Sequence, residues 1–562
     1  MRLLRFKIID EKFRSLEPGF EVIFRNSTQL DGYDEFSPFC LVGLNGSGKS
    51  NLLEALANIF YHLECIYLND LPEDFKFSPS NPNGFQSEIS SPNGFELEYL
   101  ISSTADSIKD EAKEKKLEEH FWHVYIYKKV NESPEISVKL ADDEGDAQKI
   151  TRTSARLYLP DLIVAYSSGE NEILSLPFLK MRFLNYDEYV SKLLKGEEYK
   201  QPEGRLIYID SQMSQALMLS NFLMAVNHDV AEDSILSPFR SESKIEDVYY
   251  FRIVLQQDII RSNFPDLSKE FLGQLSDRID KLRKCATSNY INEDKTTGNK
   301  VEYLDYFVDS EIKMAFNTHF NDSLDLFRTF QILLCLNLYH VEDKIKREIY
   351  QSSSLYANET VPIQASDKRV FRFKKFQILK TEFSSPIYYK SLSDGEHQFL
   401  HAMGICLLIK NTNALFLLDE PETHFNPEWR AKFISTLKKC FESGVDQNKY
   451  LHTRDILITT HSPFIISDCK KENILWFKKE KKDGPEKVNL NTYGASVKKI
   501  TQEFFGYYRQ VADLVWEDMR TALNSEDIVE LNDAMSKFGD STEKNMILEK
   551  LNKKILEQRN DE

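Results

Sequence analysis

Residues 43–50 read Gly-Leu-Asn-Gly-Ser-Gly-Lys-Ser, and this stretch decides the fold. It matches the pattern G-x-x-x-x-G-K-[ST], in which glycines let successive backbone N–H groups converge on phosphate oxygens at the start of a helix. The apolar run Pro38–Val42 before it predicts a buried strand, and the apolar spacing within Asn51–Leu63 predicts a helix after it. Strand, loop and helix together predict a phosphate-binding loop in a parallel α/β sheet.

Two residues of this loop have separate predicted roles. Lys49 would reach the β- and γ-phosphates of a nucleotide, and the hydroxyl of Ser50 would bind Mg²⁺. The sequence therefore predicts a nucleotide with Mg²⁺ as the cofactors. The other predicted nucleotide contacts of the loop and the helix start are Asn45, Gly46, Ser47, Gly48 and Asn51.

A second apolar run, Ala414–Leu418, ends in two acidic residues, Asp419 and Glu420. A buried strand that ends in an acid places a carboxylate beside Mg²⁺, and the next glutamate can orient or deprotonate an attacking water. Such a run is common by itself, and it gains weight only because the phosphate loop precedes it in the chain. We predict Asp419 as a metal ligand and Glu420 as the catalytic residue that activates water.

Two further motifs accompany these. Ser393 and Glu396 have the spacing of a capping box at the start of the apolar helix Phe399–Leu408. His461 follows the strand-like run Asp455–Thr460. Taken alone, the first pattern predicts only a capped helix, and a lone histidine is more often structural than catalytic. Their order after the phosphate loop is what indicates function.

In this order the motifs resemble those of the ABC-type ATPases, and residues 425–427 (Phe-Asn-Pro) match the D-loop of that class. The resemblance implies that ATP lies between two subunits, with Ser393 and Gly395 of one contacting the γ-phosphate held by Lys49 of the other. It implies that His461 senses the γ-phosphate. Its SMC-like form adds a nucleotide contact from Arg14.

The sequence departs from the class at two places. Position 394 is Asp where the common signature has Gly, which alters the expected backbone geometry there. The glutamine of the Q-loop has no counterpart, because the turn at 167–171, after the predicted strand Asp161–Tyr166, contains none.

A finer resemblance extends over most of the chain. Residues 419–427 and 459–463 look like the SMC-related and OLD-type ATPases, while 165–171, 392–398 and 492–506 look most like the PtuA family. These are the ATPases of Septu and retron antiphage defence systems, also labelled restriction-system-associated. The resemblance implies a separate partner of the HNH nuclease type. A retron reverse transcriptase with its msDNA, or phage DNA, is a further candidate partner.

Domain organisation follows from the spacing of the motifs. Amphipathic patterns dominate the interval between them, and Leu326–Val341 is apolar nearly all round. The predicted fold class is α/β: an ABC-type P-loop ATPase head whose nucleotide-binding domain is split into 1–180 and 381–500, with a large helical insertion at 181–380 and a helical C-terminal tail at 501–562. The tail carries apolar residues on one helix face: Met546, Ile547, Leu548, Leu551, Ile555 and Leu556.

Composition limits the class of protein. The chain has 562 residues with 89 acidic and 71 basic side chains, a formal net charge of −18, which disfavours nucleic-acid binding by bulk attraction. Seven scattered cysteines without a C-x-x-C pair indicate reduced thiols, and no apolar run is long enough to span a bilayer. We expect a cytoplasmic protein that works without a membrane.

Three functions are compatible with these patterns. The favoured one is an ATP-binding and hydrolysing subunit, at least a homodimer through the ATP sandwich, that controls the separate nuclease. The second is an SMC-like DNA-repair or recombination ATPase that binds DNA directly. The third is a sensor or scaffold that binds ATP without hydrolysing it, against which the intact Glu420 and His461 argue.

Overall fold

The residues described by the computed structural model form two compact units, Met1–Tyr493 and Gly494–Glu562. No helix among them combines the length and the apolar character that crossing a bilayer requires. The described residues are 1–25, 36–68, 71–102, 121–141, 145–169, 172–194, 205–225, 235–256, 258, 271–293, 300–353, 357–410, 413–443, 454–509 and 511–561.

The first unit is built on a parallel sheet whose strands come from distant parts of the chain. These strands are β3 (Phe39–Gly43), β8 (Leu162–Ser167), β9 (Leu206–Tyr208), β15 (Ala414–Asp419), β16 (Arg454–Thr460) and β17 (Ile474–Phe477). They lie in the order β17-β3-β16-β15-β8-β9. The central strands β3, β15 and β16 are buried along their whole length, as their apolar runs predict.

A second sheet is antiparallel, and its strands lie in the order β2-β1-β4-β5-β6-β7. They are β1 (Arg2–Ile8), β2 (Glu21–Ile23), β4 (Phe95–Ser102), β5 (Phe121–Lys128), β6 (Glu135–Leu140) and β7 (Gln148–Lys149). One hydrophobic cluster joins this sheet to the parallel sheet through the helix that follows the phosphate loop; its members include Phe6, Leu52, Leu56, Ile59, Leu97, Leu417 and Leu457.

Sixteen helices complete the described residues. They are α1 (Lys49–Tyr67), α2 (Arg152–Ala155), α3 (Glu172–Leu194), α4 (Ser211–Met224), α5 (Ser237–Ser243), α6 (Phe271–Cys285), α7 (Ser310–His319), α8 (Ser323–Cys335), α9 (Asp343–Gln351), α10 (Asp394–Leu408), α11 (Pro427–Glu442), α12 (Pro463–Ser467), α13 (Val497–Phe505), α14 (Asp513–Asn524), α15 (Ile528–Lys537) and α16 (Thr542–Asp561).

The interval 181–380 is not a purely helical insertion, and the sequence prediction is incomplete there. It contains β10 (Ile245–Leu255), β11 (Ser288–Glu293), β12 (Lys300–Phe307) and β13 (Phe371–Lys380), which with β14 (Ile387–Tyr388) form an antiparallel sheet in the order β11-β12-β10-β13-β14. Aromatic and β-branched residues fill these strands, and such residues favour strands over helices. The neighbouring helical patterns concealed this signal.

The second unit consists of helices, and its last helix buries part of its apolar face. Ile547 and Leu551 are buried, whereas Met546, Leu548 and Leu556 are exposed. Residues four apart lie on one face of a helix, so a face that contains 547 and 551 turns 546 and 548 to its sides. Buried partners of that face include Met519, Leu531 and Phe538.

Parallel pairing brings the predicted functional residues to one edge of the sheet. Asp419 at the end of β15 lies beside Ser167 of β8 and Thr459 of β16. Val42 of β3, just before the phosphate loop, lies beside Thr460. The carboxyl edge of a parallel sheet is where such folds bind ligands.

Candidate functional site

The phosphate loop runs from β3 directly into α1, and two of its glycines are required by their surroundings. A Cβ on Gly43 would lie 2.2 Å from the carbonyl oxygen of Phe477 in β17. Gly48 has a φ of +99°, and a Cβ there would lie 2.7 Å from Ser15 Oγ. A larger residue at Gly43 would displace the backbone of β17, and one at Gly48 would adopt a strained φ and displace the Ser15 side chain, so the loop sequence is explained by close packing as well as by phosphate chemistry.

Lys49 opens α1 and is almost fully buried. Its ammonium group donates to the carbonyl oxygen of Gly43 over 2.9 Å and lies 3.1 Å from Nε2 of His461. Burial lowers the pKa of Lys49, although the negative charges of Glu420 and Asp419 partly offset that effect. The lysine of the loop and the histidine after β16, far apart in sequence, therefore meet in one site.

Asp419 lies at the centre of a hydrogen-bonded group. Its Oδ1 accepts a hydrogen bond from Ser50 Oγ at 2.9 Å and another from Thr459 Oγ1 at 2.6 Å. The two predicted Mg²⁺ ligands, Ser50 and Asp419, are thus adjacent. Thr459 was not predicted as a site residue, although it is the first residue of the 459–463 stretch that carries the resemblance.

Glu420 follows Asp419 with a φ of +47°, in the left-handed region that non-glycine residues rarely adopt. Its backbone N–H donates to Thr459 Oγ1 at 2.9 Å, which helps to hold this conformation. The carboxylate lies 3.4 Å from His461 Nε2. The hydrogen bond with His461 lowers the pKa of Glu420. Burial acts in the opposite direction, and the positive charge of Lys49 lowers this pKa further. An ionised, partly exposed carboxylate in a strained position suits a base that faces a substrate.

ATP and Mg²⁺ fit these residues. The hydroxyl of Ser47 in the loop is buried and has no hydrogen-bond partner among the described residues, so it is available to a phosphate oxygen. The hydroxyl of Ser50 and the carboxylate of Asp419 are oxygen ligands of the kind Mg²⁺ prefers. Ser47 would contact a phosphate oxygen of the nucleotide, whereas Ser50 and Asp419 would hold Mg²⁺.

The remaining loop residues are placed as follows. Asn45 and Gly46 are exposed at the tip of the loop. Asn51, on the first turn of α1, donates from Nδ2 to Ser15 Oγ at 2.7 Å. Lys479 was not predicted; its Cε lies 3.9 Å from where a Cβ on Gly46 would stand, so its chain passes beside the loop. Only the tertiary fold brings this exposed lysine, just after β17, to the site.

Arg14 lies near the site but is engaged elsewhere. Its guanidinium donates from Nη2 to Glu54 Oε1 at 3.0 Å, on the inner face of α1. Burial raises the pKa of Glu54, and the bond from Arg14 opposes that rise. The structure thus shows a structural role for Arg14, and its contact with a nucleotide stays a prediction.

The signature segment forms the capped start of α10. The backbone N–H of Ser393 donates to Glu396 Oε2 at 2.8 Å, and Ser393 Oγ accepts from the Glu396 N–H, which is the predicted capping box. Gly395 has a local requirement as well, because a Cβ there would lie 2.7 Å from the carbonyl oxygen of His424. The signature therefore packs against the segment that follows Asp419-Glu420 in the same chain.

Gln398, one turn into α10, ties three functional segments together and was missed from the sequence. Its Nε2 donates to the carbonyl oxygen of Ser168 at 3.1 Å, and its Oε1 accepts from the N–H of His424 at 3.1 Å. Of the turn at 167–171, residues 170 and 171 lie outside the described part. The glutamine that reaches this turn comes from the signature helix.

The D-loop match has a local structural role in this chain. Asn426 caps α11, its Oδ1 accepting from the N–H of Trp429 at 2.8 Å, and Pro427 is the first residue of the helix. Asn at the cap and Pro at the first position are preferred helix-start residues. The Asn-Pro sequence of this segment is therefore also explained by the start of α11, apart from its resemblance to the D-loop.

Glu422 is a buried acid behind the site that the sequence did not single out. The hydroxyl of Thr460 donates to its Oε1, and its Oε2 has no partner among the described residues. Burial raises the pKa of Glu422 to about 7, although the bond from Thr460 opposes the rise. Near neutral pH this carboxyl group is therefore partly protonated.

We expect Glu422→Gln to stabilise the protein at pH 8 and to change its stability little at pH 5. The folded pKa lies above the ordinary value of 4.5, so the stability that Glu422 contributes is complete below about pH 4.5 and is lost as the pH rises through about 7. The neutral amide removes that loss, at most about 3 kcal/mol. Melting temperatures across pH 5–8 measure the effect.

The matched control for this experiment is Glu480→Gln, at an exposed position of the same unit. Its melting temperature should follow that of the wild type at every pH. A Glu422→Gln protein that is less stable than the wild type at pH 8, or that keeps the wild-type pH profile, would contradict the assignment.

Comparison with known proteins adds one match. Residues 337–467 match a family described as "AAA domain, putative AbiEii toxin, Type IV TA system". The matched segment contains the capped start of α10, Asp419-Glu420 and His461, and it lies far from the phosphate loop in sequence. It supports a P-loop ATPase of the AAA or ABC type. No curated protein matches the chain.

Proposed function

We propose that this protein binds and hydrolyses ATP with Mg²⁺ between two copies of the chain, and that it thereby controls a separate nuclease in an antiphage defence system. One observation carries the ATPase part of the proposal: Lys49, Ser50, Asp419, Glu420 and His461 converge at the carboxyl edge of one parallel sheet. Lys49 and Ser50 begin α1, Asp419 and Glu420 stand at the end of β15, and His461 follows β16, all in the first unit.

Each of these residues has a task in the proposed reaction. Lys49 and the backbone N–H groups of the loop hold the phosphates, while Ser50 and Asp419 hold Mg²⁺, which neutralises charge on the β- and γ-phosphates. The Glu420 carboxylate accepts the proton of the attacking water. His461, between Lys49 and Glu420, links the γ-phosphate position to the catalytic base.

The second copy is proposed because the hydrogen bonds of Ser393 and Lys49 do not join the signature to the loop within the described part of one chain. In the proposed dimer, the positive end of α10 in one copy faces the γ-phosphate held by the other. The nuclease and the antiphage role rest on the sequence resemblance. The gene next to this one should therefore encode an HNH-type nuclease.

Phage plating tests the cellular part of the proposal. Cells that express this chain with the neighbouring HNH frame are expected to restrict phage, and Lys49→Ala is expected to remove that protection because the phosphate-binding charge is lost. Lys12→Ala is the control, since Lys12 is exposed and its ion-pair partner among the described residues is Glu17 at 2.7 Å. Protection that persists in Lys49→Ala, or a neighbouring gene without a nuclease, would count against this role.

A further inference from the structure

Among the described residues, helices α6, α7 and α8 pack on one face of the antiparallel sheet β11-β12-β10-β13-β14. On the covered face, Tyr306 donates from its hydroxyl to the carbonyl oxygen of Leu282 in α6 at 2.9 Å and packs on Phe316 of α7. Phe330 of α8 packs against Phe371 and Phe373 of β13 on the same face. Residues that alternate with these point to the other face of the sheet.

The other face, which we call the open face, carries aromatic side chains on adjacent strands. The register places Tyr290 opposite Tyr303, Phe307 opposite Tyr250, and Tyr388 opposite Gln377. Large aromatic groups are normally buried, yet three of these side chains reach the solvent. The exposed fractions are 43% for Tyr290, 53% for Phe307 and 55% for Tyr388.

The open face is also held rigid by an internal ion pair. Arg252 donates from Nε and Nη2 to the two carboxylate oxygens of Asp305 at 2.6 and 2.9 Å. The Arg252 guanidinium lies 5.2 Å from the ring centre of Tyr303 and 5.6 Å from that of Tyr290. Those two rings stack at 5.1 Å. Tyr290 and Tyr303 are therefore held in place by contacts within the sheet.

Two lysines of β13 form no ion pair with a described residue. Lys374 lies opposite Arg252, and Lys375, with a φ of +53°, lies in the irregular pairing next to it. Both are exposed. Burial raises the pKa of Asp305, the nearby acid, but the hydrogen bonds from Arg252 and Tyr250 and the charges of Arg252 and Lys375 outweigh it, so this pKa is lowered. In a chain with a net charge of −18, exposed lysines beside exposed rings favour an anionic, planar partner.

We propose that the open face binds single-stranded nucleic acid. Bases would stack on Tyr290, Phe307 and Tyr388, and Lys374 and Lys375 would contact phosphates. Unpaired bases present their flat faces to such a sheet, whereas bases in a duplex are stacked on one another and cannot. The distance from β11 to β14 is about 19 Å at the usual strand spacing, enough for a short run of nucleotides.

Direct binding by the full chain tests this proposal. The probes are fluorescein-labelled oligo-dT and oligo-U of about 20 nucleotides, with a duplex of the same length for comparison. We expect both single strands, or one of them, to bind more tightly than the duplex, with an affinity that falls as salt rises. The tighter arm identifies DNA or RNA as the ligand.

Variants of the open face locate the binding. Tyr290→Ala and Phe307→Ala are each expected to weaken binding about fivefold or more, because stacking on one ring is worth about 1–3 kcal/mol per base. The matched control is Ile291→Ala, next to Tyr290 on β11 but on the opposite face and 63% exposed. It should bind as the wild type does.

Lys374→Ala is expected to reduce the slope of log affinity against log salt by about 0.7, the contribution of one phosphate contact to a single strand. Its control is Lys281→Ala, on helix α6, where Lys281 lies near Asp277. ATP turnover without nucleic acid should be unchanged in all these variants, so a failure of this proposal is distinct from a failure of the ATPase assignment.

Four results would overturn the proposal. They are absence of binding at low salt, preference for the duplex, binding that survives Tyr290→Ala and Phe307→Ala together, and loss of self-association instead of nucleic-acid binding in these variants. The last result would make the open face a protein interface.

Discussion

Glu420→Gln is expected to lower the rate of ATP hydrolysis about 100-fold or more while ATP still binds. The amide has the size of the carboxylate and keeps the backbone of residue 420, but it cannot accept the proton of the attacking water. Lys49, Ser50 and Asp419 are untouched, so phosphate and Mg²⁺ binding should remain. Steady-state phosphate release and equilibrium ATP binding, measured on the same preparation, separate the two effects.

The control for that experiment is Glu428→Gln, an exposed glutamate at the start of α11 that pairs with Lys432. It removes the same charge within ten residues of Glu420 and is expected to leave turnover unchanged. Unchanged hydrolysis in Glu420→Gln would remove Glu420 from the role of base. Equal loss of ATP binding and turnover would show that it acts in binding.

Ser393→Asp is expected to reduce ATP turnover about 100-fold and to prevent ATP-dependent dimerisation, although α10 keeps its cap. Aspartate accepts the cap hydrogen bond from the Glu396 N–H as serine does, although it loses the bond that the Ser393 hydroxyl donates to Glu396 Oε2 at 2.8 Å, so a purely structural role for Ser393 predicts at most a small loss of activity. A role against the γ-phosphate of a second copy predicts a large loss, because a carboxylate would then face phosphate oxygens. Phosphate release and sedimentation with ATP measure both outcomes.

The matched control is Ser496→Asp, because Ser496 caps α13 in the second unit through the N–H of Lys499. Mixing supplies a sharper test. Lys49→Ala and Ser393→Asp proteins are each expected to be inactive, but a symmetric mixed dimer has one intact site, and an equal mixture should regain about a quarter of wild-type turnover. No recovery on mixing, or normal turnover by Ser393→Asp, would rule out a site shared between two copies.

Local sequence patterns predicted the structure correctly for buried strands and for contacts between residues that are close together in sequence. The run Pro38–Val42 predicted β3 to within one residue, and Ser393 with Glu396 predicted the cap of α10. Burial on both faces requires a continuous apolar strand, and a capping box satisfies N–H groups within one turn. Such features depend on residues that are neighbours in sequence, and they can therefore be predicted from the sequence.

Features that depend on contacts between distant segments could not be predicted from the sequence. Thr459 supports both Asp419 and Glu420, and Gln398 joins Ser168 to His424, yet the stretches that contain them predicted no such contacts. The strands of the open face were hidden because helical patterns flank them and because their pairing spans residues 245–388. Pairing of this kind is set by the tertiary fold, which overrides local preference.

The sequence by itself determined that this chain carries a phosphate loop, a strand ending in Asp419-Glu420, a capped helix at Ser393 and His461, in that order. Each is a local arrangement of residue types with its own chemistry. Only the tertiary structure decided that Lys49, Glu420 and His461 touch, that Gly395 packs on His424, and that rings and lysines share the open face. The physical reason is that parallel strands and sheet registers bring together residues hundreds of positions apart, and no local pattern encodes that distance.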